Sequence, residues 1–395
     1  MVMAAIGLQF GDEGKGKVVD FLAQKADWIV RFNGGPNTGC TVVEEEKRWI
    51  FHHIPAGVTQ GKQVLLGPGM VIHPPTLVKE IQELEKSGIE LKGSLFISYR
   101  SHLILPSHIE EDHRKESQRE KPIGTTKRGV GPAYSAKMAR TGQRIIDALE
   151  AASHPYQKEL NFLSPYLCHG VEKIHQVYRE DKAILLEGAQ GSLLDIDFGT
   201  YPYVTSSNTV SSNAPLGSGL PPHSIHHVLG ICKAYTTRVG EGPFPTEAKE
   251  DTHLGAIGQE FGATTGRKRR CGWLDLFALK YTCMVNGVDS LALTKIDVLS
   301  GLPEIPVCTG YRYKGKLLST FPASTKVLQK VEPEYASLKG WDSSVKKNGK
   351  WRDEVQEYLN FVSAYLEIPI SIVSIGPERH ETVVLEDPWM ATTKI

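Results

Sequence analysis

The chain has no C-x-x-C pair, no surplus of charge of either sign and no apolar run of bilayer length, and each absence closes off a class of protein. Six cysteines, Cys40, Cys168, Cys232, Cys271, Cys283 and Cys308, are scattered through 395 residues. That spacing suits neither a zinc ribbon nor a disulfide-stapled scaffold, so reduced thiols in a cytoplasmic protein are expected. Lys plus Arg and Asp plus Glu both number 45, so no global field draws nucleic acid or an anionic membrane, and neither is expected as a partner. The N-terminus runs straight into a strand-like segment without a basic leader, which speaks against secretion and against a membrane span. Without internal repeats, low-complexity tracts or a Pro/Ser linker, composition draws no boundary, and residues 1–395 read as one interlaced domain.

What is present is an alternation of apolar runs and helical patterns. Val2 to Leu8, Trp28 to Phe32, Val64 to Leu66, Ile184 to Leu186, Ser290 to Leu293 and Ile370 to Val373 read as strands. Helices are expected at Pro75 to Lys86, Leu274 to Val285 and Arg352 to Leu366, where apolar residues recur on one face. The alternation predicts an α/β fold with a mostly parallel sheet. The charge run from Glu44 to Arg48 separates two short apolar segments and reads as a solvated hairpin turn.

Between the first strand and an apolar-faced helix lies Gly11-Asp12-Glu13-Gly14-Lys15-Gly16-Lys17. The spacing fits the phosphate loop G-x-x-x-x-G-K, but Val18 stands where the usual motif has a Mg²⁺-binding hydroxyl. Amides at a helix N-terminus attract phosphate, whereas two acids in the same loop repel it unless a cation or a proton transfer employs them. At least one acid is therefore expected to be catalytic or metal-bound. Far downstream, Thr294-Lys295-Ile296-Asp297 follows a strand and has the T-K-x-D pattern of guanine pockets. There a carboxylate accepts from N1–H and the 2-amino group, while the lysine stem covers the base. Ser374 and Gly376, after another strand, are placed to close that pocket.

These two motifs do not stand alone. Asn33 to Gly39, Gly124-Thr125-Thr126 with Arg128 to Pro132, Glu187 to Gly191, Val204 to Asn208, Thr236 to Pro243 and Thr264 to Arg267 accompany them in order. Together they resemble the adenylosuccinate synthetase family from the first strand to Arg379. The resemblance implies a large central sheet flanked by helices, with a helical subdomain, and GTP-dependent joining of L-aspartate to IMP through a 6-phosphoryl intermediate. It implies Asp12 as the base at IMP N1 and, with the carbonyl of Gly39, as a Mg²⁺ ligand. GTP would be held by Gly11, Glu13, Gly14, Lys15, Gly16, Lys17, Thr41, Arg269, Lys295, Asp297, Ser374 and Gly376. IMP would be held by Asn37, Thr126, Gln190 (near O6), Thr205 and an Arg140 that crosses from a neighbouring subunit, which implies a homodimer. Aspartate would meet Thr264, Thr265, Arg267 and Arg269, hydroxyls and guanidinium forks matching its two carboxylates.

Two departures from the family pattern stand out. Cys40 occupies the place of the histidine that donates a proton toward O6 and the phosphates, and a thiol is a weak, short donor. Turnover is expected to fall accordingly, and Cys40→His to raise it, unless His52 or the unexpected His53 supplies the proton. The span from about Arg144 to Lys182 is abbreviated and is expected to form a trimmed peripheral helical subdomain. Two other readings stay open: a relative acting on GMP or dGMP, and a GTP-binding protein with impaired catalysis.

Overall fold

The computed structural model describes residues 1–44, 47–248, 253–261, 266 and 268–390. Ten strands build the central sheet: β1 (Val2–Gly7), β2 (Trp28–Arg31), β3 (Gln63–Leu66), β4 (Leu95–Ser98), β5 (Leu167–Cys168), β6 (Ile184–Glu187), β7 (His227–Lys233), β8 (Ser290–Thr294), β9 (Ile370–Ser374) and β10 (Thr382–Val384). Their spatial order is β10-β9-β8-β7-β1-β6-β2-β3-β4-β5. All neighbours are parallel except β10, which runs antiparallel along β9. The first strand is thus central, and its six residues are all buried.

Alternation of side chains in β1 explains why both faces are covered. Met3 and Ala5 join one apolar cluster with Val18, Val19 and Leu22 of the helix Lys15–Ala23. Val2, Ala4 and Ile6 join another with Ile174, Val177 and Ala214 on the opposite side. A second, four-stranded sheet pairs Glu304–Tyr313 with Glu332–Lys339 and shares a core with the helices Leu276–Asn286 and Asp353–Leu366.

The expected strands all form within a residue of their predicted ends. Two expectations change. Leu274 and Asp275 are not helical: Asp275 caps the helix, its carboxylate accepting from Ala278 N at 3.0 Å, so the helix starts at Leu276. The span 144–182 is not merely peripheral, since Leu167–Cys168 extends the main sheet and Leu160, Leu163 and Tyr166 enter the core. The charge run does end a hairpin of Cys40–Glu44 with Lys47–Phe51. Among the described residues no helix is long and apolar enough to cross a membrane.

Candidate active site

The carboxyl ends of β1, β6, β7, β8 and β9 open on one cleft of about 690 Å³, as expected where crossovers diverge from an open parallel sheet. The phosphate loop lies at its centre, and its backbone is bent by left-handed residues: Gly11 (φ 80°), Asp12 (φ 59°) and Gly14 (φ 82°). Asp12 adopts that conformation without being glycine, a strain typical of working residues. Its Oδ2 accepts from Arg269 Nε at 2.7 Å. Lys15, Gly16, Lys17, Asn37, Gly39, Thr41, Thr126, Gln190, Thr205, Arg269, Lys295, Asp297, Ser374 and Gly376 line the same cleft. Segments nearly the whole chain apart are brought together as expected.

Glu13 departs from its expected role, for its carboxylate is turned away from the cleft. Oε1 accepts from the amides of Gln9 (3.0 Å) and Gly11 (2.9 Å), and Oε2 pairs with Lys15 at 2.5 Å. The loop's own acid thus satisfies donors that a phosphate loop otherwise presents to an anion. This packing leaves no room for a side chain at residue 191, where a Cβ would lie 2.2 Å from Glu13 Oε1. The Glu13 carbonyl accepts from Thr294 Oγ1 at 2.6 Å, which fixes the loop to the T-K-x-D strand.

In the guanine motif, Asp297 Oδ1 is buried without a hydrogen-bond partner, and burial holds this carboxyl above its ordinary range. A buried acceptor in that condition calls for donors. Lys17 closes the pocket's other wall: its Nζ donates to Ser374 Oγ (2.7 Å) and to the carbonyls of Gly376 (2.5 Å) and Glu381 (2.9 Å). Burial lowers this ammonium to about 8, with Glu381 opposing the shift. On the other side, Gln190 is left-handed (φ 58°) and donates Nε2 to Thr38 Oγ1 at 3.2 Å, while its Oε1 and Asn37 Oδ1 are buried without partners. These two acceptors suit a polar heterocycle.

Cys40 is placed differently from the expectation of a proton donor. Its thiol donates to Glu187 Oε1 at 3.4 Å and lies 3.9 Å from Arg31 Nη1, so that the residue lines the cleft while its sulfur is engaged at the edge of the apolar cluster. Burial, reinforced by Glu187, pushes it up to about 12. Arg31 and Glu187 form a fully buried pair at 2.6 Å. Neither histidine replaces the missing one. His53 is fully buried, with Nδ1 3.5 Å from Glu80 and Nε2 accepting from His73 N, and burial lowers its pKa, so it is neutral. His52 bonds the Thr38 carbonyl through Nδ1 at 2.7 Å. Both lie on a bend just after the strand Lys47–Phe51.

Arg140 caps the C-terminus of the helix Val130–Ala139, exposed and outside this chain's own cleft. Thr264, Thr265 and Arg267 lie outside the described residues. Glu260, Lys233 and Tyr235 were not foreseen: Glu260 binds Lys233 Nζ (3.0 Å), Lys295 Nζ (2.7 Å), Arg269 Nη1 (2.5 Å) and the Tyr235 hydroxyl. A lysine ending the apolar strand β7 was the available signal.

For a divalent ion, Asp12 and the Gly39 carbonyl offer hard oxygen donors on one cleft. No cluster of three His, Cys, Asp or Glu side chains exists among the described residues to hold a metal unaided. That donor set fits Mg²⁺, which is commonly held by one or two carboxylates together with substrate phosphates.

The family model described as adenylosuccinate synthetase matches residues 4–161 and 148–383. The adenylosuccinate synthetase of Chlorobaculum tepidum is 44% identical over 417 aligned positions, covering 96% of each chain. That of Thermodesulfovibrio yellowstonii is 43% identical, covering 97% of this chain and 98% of its own. Among solved structures, fully ligated adenylosuccinate synthetase from Plasmodium falciparum superposes with a TM-score of 0.91 at 35% identity, over 98% of this chain and all of that one. The succinoaminodeoxyadenylate synthetase of cyanophage S-2L, bound to dGMP and dATP, shares the fold (TM-score 0.70, 20% identity, 98% of this chain and 96% of its own).

Proposed function

The chain belongs to the adenylosuccinate synthetase family, and from that premise we infer that it joins L-aspartate to IMP at the expense of GTP, giving adenylosuccinate, GDP and phosphate in AMP biosynthesis. The observation that carries the reading is the unpartnered Asp297 oxygen in the same cleft as the unpartnered oxygens of Gln190 and Asn37. Two polar sites, one for guanine and one for a second purine, flank one phosphate loop.

In this reading Asp297 accepts from guanine N1–H and the 2-amino group, with Lys295, Ser374 and Gly376 around the base. Loop amides beyond Gly11, as far as Gly16, hold the phosphates with Lys15, Lys17 and Thr41. Asn37, Thr126, Gln190 and Thr205 hold IMP, and the partner subunit's Arg140 reaches its phosphate, which makes the working form a cytoplasmic homodimer. Asp12 takes the N1 proton, so electron density moves to O6, which attacks the γ-phosphorus as GDP leaves. The aspartate amine, its carboxylates on Thr264, Thr265, Arg267 and Arg269, then attacks C6 and expels the phosphate. Asp12 and the Gly39 carbonyl would hold Mg²⁺, which when bound would supply charge neutralisation for the transfer.

The test is adenylosuccinate formation from IMP, GTP and aspartate, with GMP and dGMP assayed beside IMP. Product from IMP alone is expected, and Asp12→Asn should lower kcat by about 10²–10⁴-fold. No product from IMP at high enzyme concentration would sink the reading, and product from dGMP instead would reassign the acceptor.

A further inference from the structure

Glu260 belongs to a short antiparallel pairing: its carbonyl accepts from Arg269 N at 2.9 Å, and Phe261 pairs with Lys268. Arg269 is among the residues expected to meet aspartate. The Glu260 side chain, fully buried, binds Arg269 at 2.5 Å and Lys295 at 2.7 Å. Lys295 Nζ also donates to the carbonyl of Gly258, two residues before Glu260. Behind them, Lys233 is buried at 1% exposure, bonded to Glu260 and to Thr237 Oγ1. Three cations thus converge on one carboxylate, and Asp12, on the far side of Arg269, is the second anion in contact with the group.

We propose that Glu260 is a positioning residue that holds the guanine-side Lys295 and the aspartate-side Arg269 in one frame, setting GTP and aspartate affinity together. The proposal rests on the ligase reading above. Neither substrate needs to touch Glu260: Lys295 lines the cleft from one leg of the frame and Arg269 from the other. Charge-assisted bonds of this kind are directional as well as strong, so loss of the shared acceptor lets both arms drift.

The test compares steady-state kinetics of the full-length protein with those of E260Q, E260D and the double variant E260Q/K233M. The double variant removes one buried charge of each sign and so spares the fold the uncompensated lysine that E260Q leaves. In E260Q and in the double variant, KM for GTP and KM for aspartate should each rise about tenfold, equivalent to one strong hydrogen bond. KM for IMP should stay within about twofold, since its expected contacts lie on Asn37 and Gln190. E260D, which keeps the charge on a shorter stem, should fall between. A purely structural role would instead lower kcat with unchanged KM values. Wild-type KM for either GTP or aspartate in the folded variants overturns the proposal; should both Gln variants fail to fold, E260D decides on the same criterion. If the unmodified chain makes no adenylosuccinate, the ligase reading fails, whereas unchanged KM values in an active enzyme defeat the role of Glu260 alone.

Discussion

Two buried carboxylates near the cleft, Glu187 and Glu260, have opposite surroundings. Glu187 meets one cation, Arg31, plus the Cys40 thiol and the amide of Ala56. Its charge is matched one for one, although Arg31 Nε and Nη2 are buried without partners. Glu260 meets three cations, and two of them line the cleft. The first carboxylate ties together interior groups and serves the fold; the second ties together two side chains that line the cleft. The difference also accounts for Cys40, which lies at the edge of the balanced pair and is engaged by it.

The comparison is sharpened most by breaking the balanced pair. Glu187→Ala leaves Arg31 buried and uncompensated, so unfolding free energy should fall by about 3–5 kcal/mol, measured by urea titration, while KM values of the surviving folded enzyme hold. Altered KM with an intact fold would place Glu187 among the binding groups instead. A smaller effect is expected from pH through Lys17. Its ammonium is lowered to about 8 in the free protein; under the proposed role bound phosphate would stabilise it, so GTP binding would take up a proton above that pH. KM for GTP should therefore rise by up to about tenfold per pH unit above 8, and Lys17→Arg should flatten the rise; a flat profile in the unmodified chain removes Lys17 from phosphate binding. The smallest effect belongs to Cys40→Ser, which keeps a donor to Glu187 and should leave kcat within about twofold. A loss beyond tenfold would mean that the thiol takes part in the reaction after all. Cys40→His gives the complementary measurement: a gain in kcat requires the imidazole to turn from Glu187 toward the cleft that residue 40 lines.

Much of this was legible in the chain. The strands are apolar runs whose hydrophobicity is intrinsic to each segment, and the phosphate loop, the T-K-x-D motif and Gln190 sit at strand ends where backbone geometry fixes them. What was not legible depends on which distant charges become neighbours. Glu260 acquires meaning only when Lys233 and Lys295 arrive from adjacent strands β7 and β8. Glu13 looked like a ligand for GTP because the motif says nothing of the amides of Gln9 and Gly11 that capture it. Cys40 read as a substitute acid because its position in the motif was visible, whereas the Arg31–Glu187 pair that claims its thiol was not.

The contact of Lys17 with Ser374 and Gly376 spans more than 350 positions of sequence. A ribosome would deliver the phosphate loop long before its guanine-side wall. Strand β1, at the centre of the sheet, likewise waits for β6 and β7, which begin at residues 184 and 227. A topology so dominated by distant pairings folds late and cooperatively. The nucleotide pocket is consequently an all-or-none product of the chain: a fragment interrupted before residue 374 carries the phosphate loop intact and still has no complete place to put a guanine.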